Sequence, residues 1–318
     1  MVASKALSID VARVRKAVKS KLGVEPEKVK KLSATPHSQS FDIQSSKGRF
    51  VFTAVSKQSN GKLARQSWCY SALSKSKVPV PKVVAVDTKK KIMPHEFMIT
   101  SFEPGEYLCD VFPSKPVMRK ELGRSVGQVF AKVHKVDVKG FGLLNEKGVG
   151  QKKVWDAVAF EQFDADIAYI KRNKLLKPEE IQAISDMVEK RKAWLECKKP
   201  VLINSSLELE NVLAIGNDVS SVLGFGQAKG GDPAREFGRL YSSFYFNRER
   251  PFVEAVRVSY ETTLGKRLDM KRVWLYCLMD RVKSFREDIE IDNTEPALAK
   301  KYHRTYLERV MRQVAAYG

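Results

Sequence analysis

Glu208, Glu210 and Asn211 stand within four residues of one another, Asp218 follows after a short turn, and Asp232 lies further on. Carboxylate and amide oxygens are the hard ligands that a magnesium-type cation takes. A carboxylate beside a hydroxyl can also accept its proton. Acidic residues in a loop are more often plain solvated charges, so this spacing needs a supporting frame before it counts as a site. The four cysteines, Cys69, Cys109, Cys197 and Cys277, show no CxxC spacing. They predict neither a zinc site nor a disulfide framework, and a reducing, cytoplasmic setting is expected.

The second chemistry in the chain is cationic. Its net charge is +20, and residues 1–103 carry 20 Lys and Arg against 7 Asp and Glu. Lys28, Lys30 and Lys31 form one cluster, Lys89, Lys90 and Lys91 another, and Arg13 and Lys16 sit on a basic amphipathic segment. Lysines in such clusters make phosphate contacts that depend on salt and read sequence weakly. The expected partner is nucleic acid, RNA in particular, through Arg13, Lys16, Lys28, Lys30, Lys31 and Lys89–Lys91. A protein partner is the alternative. No apolar run approaches the ~18 residues needed to cross a bilayer, so no stable membrane insertion is expected. The first residues lack the apolar stretch of a secretory leader.

The elements that must hold these groups follow from pattern. Ser8 and Asp10 suit a helix cap, Val11, Val14, Val18 and Leu22 fall at helical spacing, and Gly23 ends the run. Val29–Ala34, Ser40–Gln44 and Arg49–Val55 read as strands joined by turns. Leu63–Ser74 reads as a helix, and strands end at Asp87 and Phe102. Beyond Glu103-Pro104-Gly105 the chain is mostly helical: Val117–Val136, Trp155–Arg172, Pro178–Cys197, Pro251–Leu264, Met270–Glu287 and Ala297–Val314. Interrupting this, PVLINSSLELENVLA (200–214) gives a strand, a polar turn and a second strand, and Val219–Phe225 completes a hairpin.

Five strings in this order resemble the aminoglycoside phosphotransferase and choline kinase group: VPVPKVVAVD, FMITSFEPGEYL, VFAKVHKVDVKGFG, PVLINSSLELENVLA and GDPAREFGRL. The likeness covers about residues 25–245. It implies an α+β, bilobal, protein-kinase-like fold. Residues 1–103 would form a basic helix and a small lobe with an antiparallel sheet. Residues 104–318 would form a larger helical lobe holding the loop at 200–228.

The same resemblance implies a site, and the residues depart from it. The general-base Asp falls on Ser206, whose hydroxyl has no useful basicity near neutral pH. The preceding His falls on Asn204. The metal-binding Asn is retained as Asn211, while the metal-binding Asp falls on Gly224. The phosphate-binding Lys of the small lobe falls on Thr53, with Lys57 beyond the strand, and its Glu partner falls on Gln66. The phosphate-covering turn falls on Ala34-Thr35-Pro36-His37-Ser38 and has no glycine. Phosphoryl transfer rests on positioning and charge neutralisation. A chain with these losses is therefore expected to be a pseudokinase-like binding protein with no catalytic residue, no metal and no cofactor. The alternatives are a protein-binding scaffold or regulator, and an atypical transferase or nucleotide binder in which Glu208, Glu210, Asp218 or Asp232 replaces the missing carboxylates.

Overall fold

The computed structural model describes residues 6–114, 119–204, 209–292 and 294–318. Packing groups the chain into two compact units. One comprises Met1–Pro113, Leu144–Val149 and Glu208–Ala228; the other comprises Ser114–Leu143, Gly150–Leu207 and Lys229–Gly318. The chain thus changes unit several times, where the sequence suggested a single boundary after residue 103.

The first unit is built on a five-stranded antiparallel sheet in the order β1-β2-β3-β5-β4. Its strands are β1 (Lys28–Ala34), β2 (Ser38–Ser45), β3 (Gly48–Val55), β4 (Val83–Asp87) and β5 (Phe97–Ser101). Helix α1 (Val11–Leu22) lies on one face. It starts where the Asp10 carboxylate accepts from the Ala12 N–H at 3.0 Å, and it stops at Gly23, whose φ of 72° suits a residue without Cβ. Val14, Ala17, Val18 and Leu22 pack on Phe41, Ile43, Phe52, Ala54, Phe97 and Ile99. Alternation along the strands puts those apolar side chains on one face and Ser40, Asp42, Arg49 and Thr53 on the other. Helix α2 (Lys62–Lys75) completes this part.

The same unit takes in a second, three-stranded sheet, β11-β10-β6, of β6 (Glu106–Tyr107), β10 (Val212–Ile215) and β11 (Asp218–Val222). Pairing of Leu213 with Tyr107 and Ala214 with Glu106 explains why residues 208–228 belong here. Helix α3 (Leu108–Ser114) follows β6.

The second unit is mainly helical: α4 (Arg119–Val133), α5 (Asp156–Arg172), α6 (Pro178–Glu189), α7 (Ala234–Phe244), α8 (Arg250–Leu264), α9 (Met270–Glu290) and α10 (Pro296–Ala315). Helix α9 is its axis, burying Val273, Leu275, Tyr276, Leu278, Val282 and Phe285. Gly123 and Gly127 let α4 approach α8 closely, since a Cβ on Gly123 would lie 2.8 Å from the Phe252 carbonyl oxygen. Four short strands form the sheet β8-β7-β12-β9: β7 (Phe141–Leu144), β8 (Gly150–Lys152), β9 (Val201–Ile203) and β12 (Lys229–Gly231). No helix among the described residues is long and apolar enough to cross a membrane.

Candidate functional site

Strand β9 delivers the chain to Asn204, and the backbone there is held by a buried carboxylate. The Asn204 N–H donates to Glu236 Oε1 at 2.5 Å, and Glu236 Oε2 lies 2.7 Å from His134 Nε2. His134 Nδ1 lies 2.9 Å from the Tyr260 hydroxyl. When neutral, the imidazole donates from Nε2 to the carboxylate and accepts the tyrosine proton at Nδ1. His134, Asn204 and Glu236 are all almost fully buried, so this network sets the entry to the loop rigidly. Residues 205–208 lie outside the described residues, and with them Ser206 and Glu208.

The loop re-emerges at the 3-10 turn Leu209–Asn211 and enters β10. Hairpin β10–β11 returns the chain, and the Leu223 N–H donates to the Asn211 carbonyl at 2.7 Å. Gly224 therefore sits directly beside Asn211. Its φ is 80°, and a Cβ built on it would lie 2.5 Å from Asn211 Oδ1 and 2.7 Å from Cγ. The retained amide thus fills the space from which an acidic side chain would grow. Phe225 follows, fully buried and edge-on to Tyr70 at 6.1 Å.

Glu210 is exposed, and Asp218 is exposed at the far end of the hairpin opposite Ile215. Ile215 is four steps along the chain from Asn211, or about 13 Å of strand. Asp232 belongs to the second unit, where its carboxylate accepts from the Ala234 N–H at 3.1 Å and the Tyr276 hydroxyl at 2.9 Å and meets Arg272. Burial raises its pKa, against the pull of Arg272. Among the described residues no three His, Cys, Asp or Glu side chains form a metal-binding group. At the two positions where the resemblance implies magnesium ligands, the described residues offer the Asn211 amide and, at Gly224, no side chain.

The sheet of the first unit carries the same message. Thr53 Oγ1 lies 3.0 Å from Ser40 Oγ. On the same face, Arg49 grips Asp42 with two bonds of 2.9 and 2.8 Å, and this guanidinium holds the carboxyl below its usual range. At the position where the resemblance calls for a cation, Thr53 meets Ser40, and Arg49 on the same face is paired with Asp42. In the turn at 34–38, the Thr35 hydroxyl accepts from the N–H groups of His37 at 3.2 Å and Ser38 at 3.0 Å. Those amides are already engaged and do not form an open cradle.

Helix α2 turns a different residue inward than the resemblance implied. Gln66 donates to the Tyr70 hydroxyl at 2.8 Å. Arg65, 8% exposed, donates instead to the carbonyls of Leu144 and, at 2.6 Å, Gly226. Lys62 lies along Gly226, so close that a Cβ there would be 2.5 Å from its Cγ. Burial and then Arg65 push the Lys62 ammonium below its usual range. Arg65 and Lys62 were missed. The available signal was their i, i+3 spacing on the face that also buries Leu63, Cys69 and Leu73.

The eight candidate nucleic-acid residues are split by the sheet. Lys31 pairs with Phe41 and Val29 with Ile43, so both face α1; Arg13 and Lys16 are exposed on that helix. Ile92 and Met93 join the core beneath α1, bringing Lys89, Lys90 and Lys91 to the rim of this face. Lys28 and Lys30 point the other way, towards Asp42, whose carboxyl they help to keep ionised.

Comparison with known proteins gives this arrangement a family. The family model described as the phosphotransferase enzyme family matches residues 28–270, and the chain belongs to that family. No curated protein sequence matches it. Among solved structures it is similar to a thermostable mutant of the aminoglycoside phosphotransferase APH(4)-Ia in ternary complex with AMP-PNP and hygromycin B, at 16% identity and a TM-score of 0.71 over 94% of this chain and 98% of that one. An aminoglycoside phosphotransferase candidate from Ralstonia eutropha JMP134 aligns at 14% identity and a TM-score of 0.69, covering 97% and 99%. A fructosamine-3-kinase candidate from Thermobifida fusca aligns at 16% identity and a TM-score of 0.68, covering 96% and 100%. At these identities the likeness establishes the shared α+β, kinase-like fold.

Proposed function

We propose that this chain is a catalytically silent member of its family that acts as a binding module, with the basic α1 face of its first unit on RNA. The observation that carries the silent half is the Gly224–Asn211 contact: the metal carboxylate is absent and its space is filled by the neighbouring amide. The binding half is supported by the exposure of Arg13, Lys16, Lys31, Lys89 and Lys91 around one helix-covered face.

A mobility-shift titration with a single-stranded RNA at 50 and 200 mM salt tests it. Retardation that weakens with salt is expected, since each phosphate contact contributes about −0.7 to the log–log slope for single strands. Replacing Arg13, Lys16 and Lys31 by Gln should lower that slope by about 2, whereas Lys28→Gln with Lys30→Gln should change it little. Absence of retardation at 50 mM salt ends the RNA reading. Recovery of a stoichiometric protein partner that resists ribonuclease would point to a scaffold.

One observation favours a second reading, residual nucleotide binding: Lys62 is desolvated beside the 225–227 turn and meets no carboxylate among the described residues. A thermal shift with ATP that requires magnesium and is lost in Asn211→Ala would restore the enzyme reading.

A further inference from the structure

The second unit holds a cavity of about 240 Å³ beside the turn that joins α8 to α9. That turn is firmly built. Gly265 ends α8 at a φ of 66°, the Leu268 N–H donates to Glu261 Oε1 at 3.0 Å, and the Asp269 carboxylate caps α9 through the Lys271 N–H at 3.0 Å. A second cavity, of about 440 Å³, shares Val201, Asp232, Pro233, Lys266 and Arg272 with the first and extends to Cys197, Lys198 and Lys199. Together they reach the roughly 300–1,000 Å³ of a small-molecule site. Val201 opens β9 and Asn204 follows its last residue, so the cavities stand at the end of the strand away from the loop.

Apolar walls come from Val201, Pro233, Leu264, Leu268 and the Tyr260 ring. The buried carboxylate among the lining groups, Asp232, is already neutralised by Arg272 and accepts from the Tyr276 hydroxyl and the Ala234 N–H. Arg272 spends one terminal nitrogen on Asp232 and on the Glu196 carbonyl, the latter at 2.9 Å. Its Nε is buried and has no hydrogen-bond partner among the described residues. A buried donor left without an acceptor is costly, and a guest in the cavities that Arg272 lines can supply one. Lys198 and Lys199 are paired with Glu196 at 3.7 Å and Asp137 at 2.9 Å. Lys266, which lines both cavities, and Arg267 are exposed and meet no carboxylate among the described residues. Asp269 offsets part of their charge, so the surplus suits a single negative charge and not a polyanion.

We propose that these joined cavities bind a small organic acid, its apolar body against Val201, Pro233, Leu264 and Leu268 and its carboxylate between Arg272 Nε and Lys266. Hydrogen bonds from a guanidinium and an ammonium to a carboxylate are charge-assisted and strong. The apolar walls add an affinity that a bare inorganic anion cannot gain. This goes beyond the proposed function, because neither the α1 face nor the loop after Asn204 takes part.

The test uses the full chain at constant ionic strength, with benzoate and hexanoate as probes. Benzamide and hexanamide serve as neutral counterparts, and inorganic phosphate as an anion without an apolar body. Ligand-observed NMR titration and thermal melting should show saturable binding of at least one acid, with a rise in Tm, and weaker binding of its amide and of phosphate. Lys266→Gln with Arg267→Gln should weaken the acid about fivefold or more and leave the melting of the free protein unchanged, since both side chains are exposed. Leu268→Trp, which fills the cavity from its half-buried wall, should weaken acid and amide alike. Lys271→Gln should change nothing, because that exposed lysine lies over the Trp194 ring at 5.8 Å and lines neither cavity. No saturable binding of either acid overturns the proposal, as does an amide or phosphate that binds as tightly as the acid. Equal weakening by Lys271→Gln would reduce the effect to general surface charge and overturn it too.

Discussion

Restoring the missing acid by Gly224→Asp should weaken the protein and restore no activity. Gly224 holds φ at 80°, a conformation that costs an L-residue about 1 kcal/mol or more, although Asp tolerates it better than most. The new Cβ would lie 2.5 Å from Asn211 Oδ1 and 2.7 Å from Cγ, so the amide must move, and overpacking of this kind costs roughly 1–3 kcal/mol. Together the loss is about 3 kcal/mol, a large share of the ~5–15 kcal/mol that holds a typical protein folded. At roughly 2–4 °C per kcal/mol the melting temperature should fall by about 6–12 °C. Gly224→Ala separates strain from charge and should lose nearly as much. Pairing it with Asn211→Gly should recover about 1–2 kcal/mol in a double-mutant cycle, because the two side chains compete for one space. Urea denaturation followed by circular dichroism measures each leg, and a coupled-enzyme assay with magnesium ATP measures turnover. A Gly224→Asp protein as stable as wild type that gains magnesium-dependent turnover would refute both the steric argument and the silent reading.

Two further outcomes follow from buried or paired carboxylates. Arg49 lowers the Asp42 pKa in the folded state, so the pair contributes stability that is present above the unfolded value of about 3.9 and is lost as pH falls through the lower folded value. Asp42→Asn should be less stable than wild type at pH 7, and the gap should close on acidification below pH ~4; a gap that is constant from pH 7 to 2 would contradict this. Glu236→Ala strands the buried Asn204 N–H and His134 together and should cost about 3–5 kcal/mol in urea denaturation, whereas Glu236→Gln, which keeps an acceptor, should cost less. Equal losses in the two variants would show that the site is filled by packing alone.

Sequence carried the framework far because caps and periodicity are local. Asp10 and Gly23 bound α1 as expected, and Arg49–Val55 lies within the strand its β-prone residues suggested. The family-like string at 200–214 also carried Asn211 and the hairpin after it Gly224, while their contact is a finding of the structure. What sequence obscured was decided by neighbours. On α2, Gln66 and Arg65 differ by one residue, about 100° around the helix, and only the carbonyls of Leu144 and Gly226 select Arg65 as the inward group. Strand β12, Lys-Gly-Gly, has little β-propensity, and its strand geometry is imposed by β7 and β9. The lysine clusters were legible, but not their division between two faces, which depends on the β1–β2 register.

The way the first unit is assembled from Met1–Pro113, Leu144–Val149 and Glu208–Ala228 also sets a timetable for its synthesis. An emerging chain can pair β1 to β5 early, but β6 has no partner until β10 has been made. At ~5–20 residues per second, the ribosome needs roughly 5–20 s to travel from β6 to β10. Through that interval Glu106 and Tyr107 stand without their strand, while α4, α5 and α6 are already leaving the exit tunnel. The nascent protein therefore leaves β6 unpaired while the helices between it and β10 are being laid down.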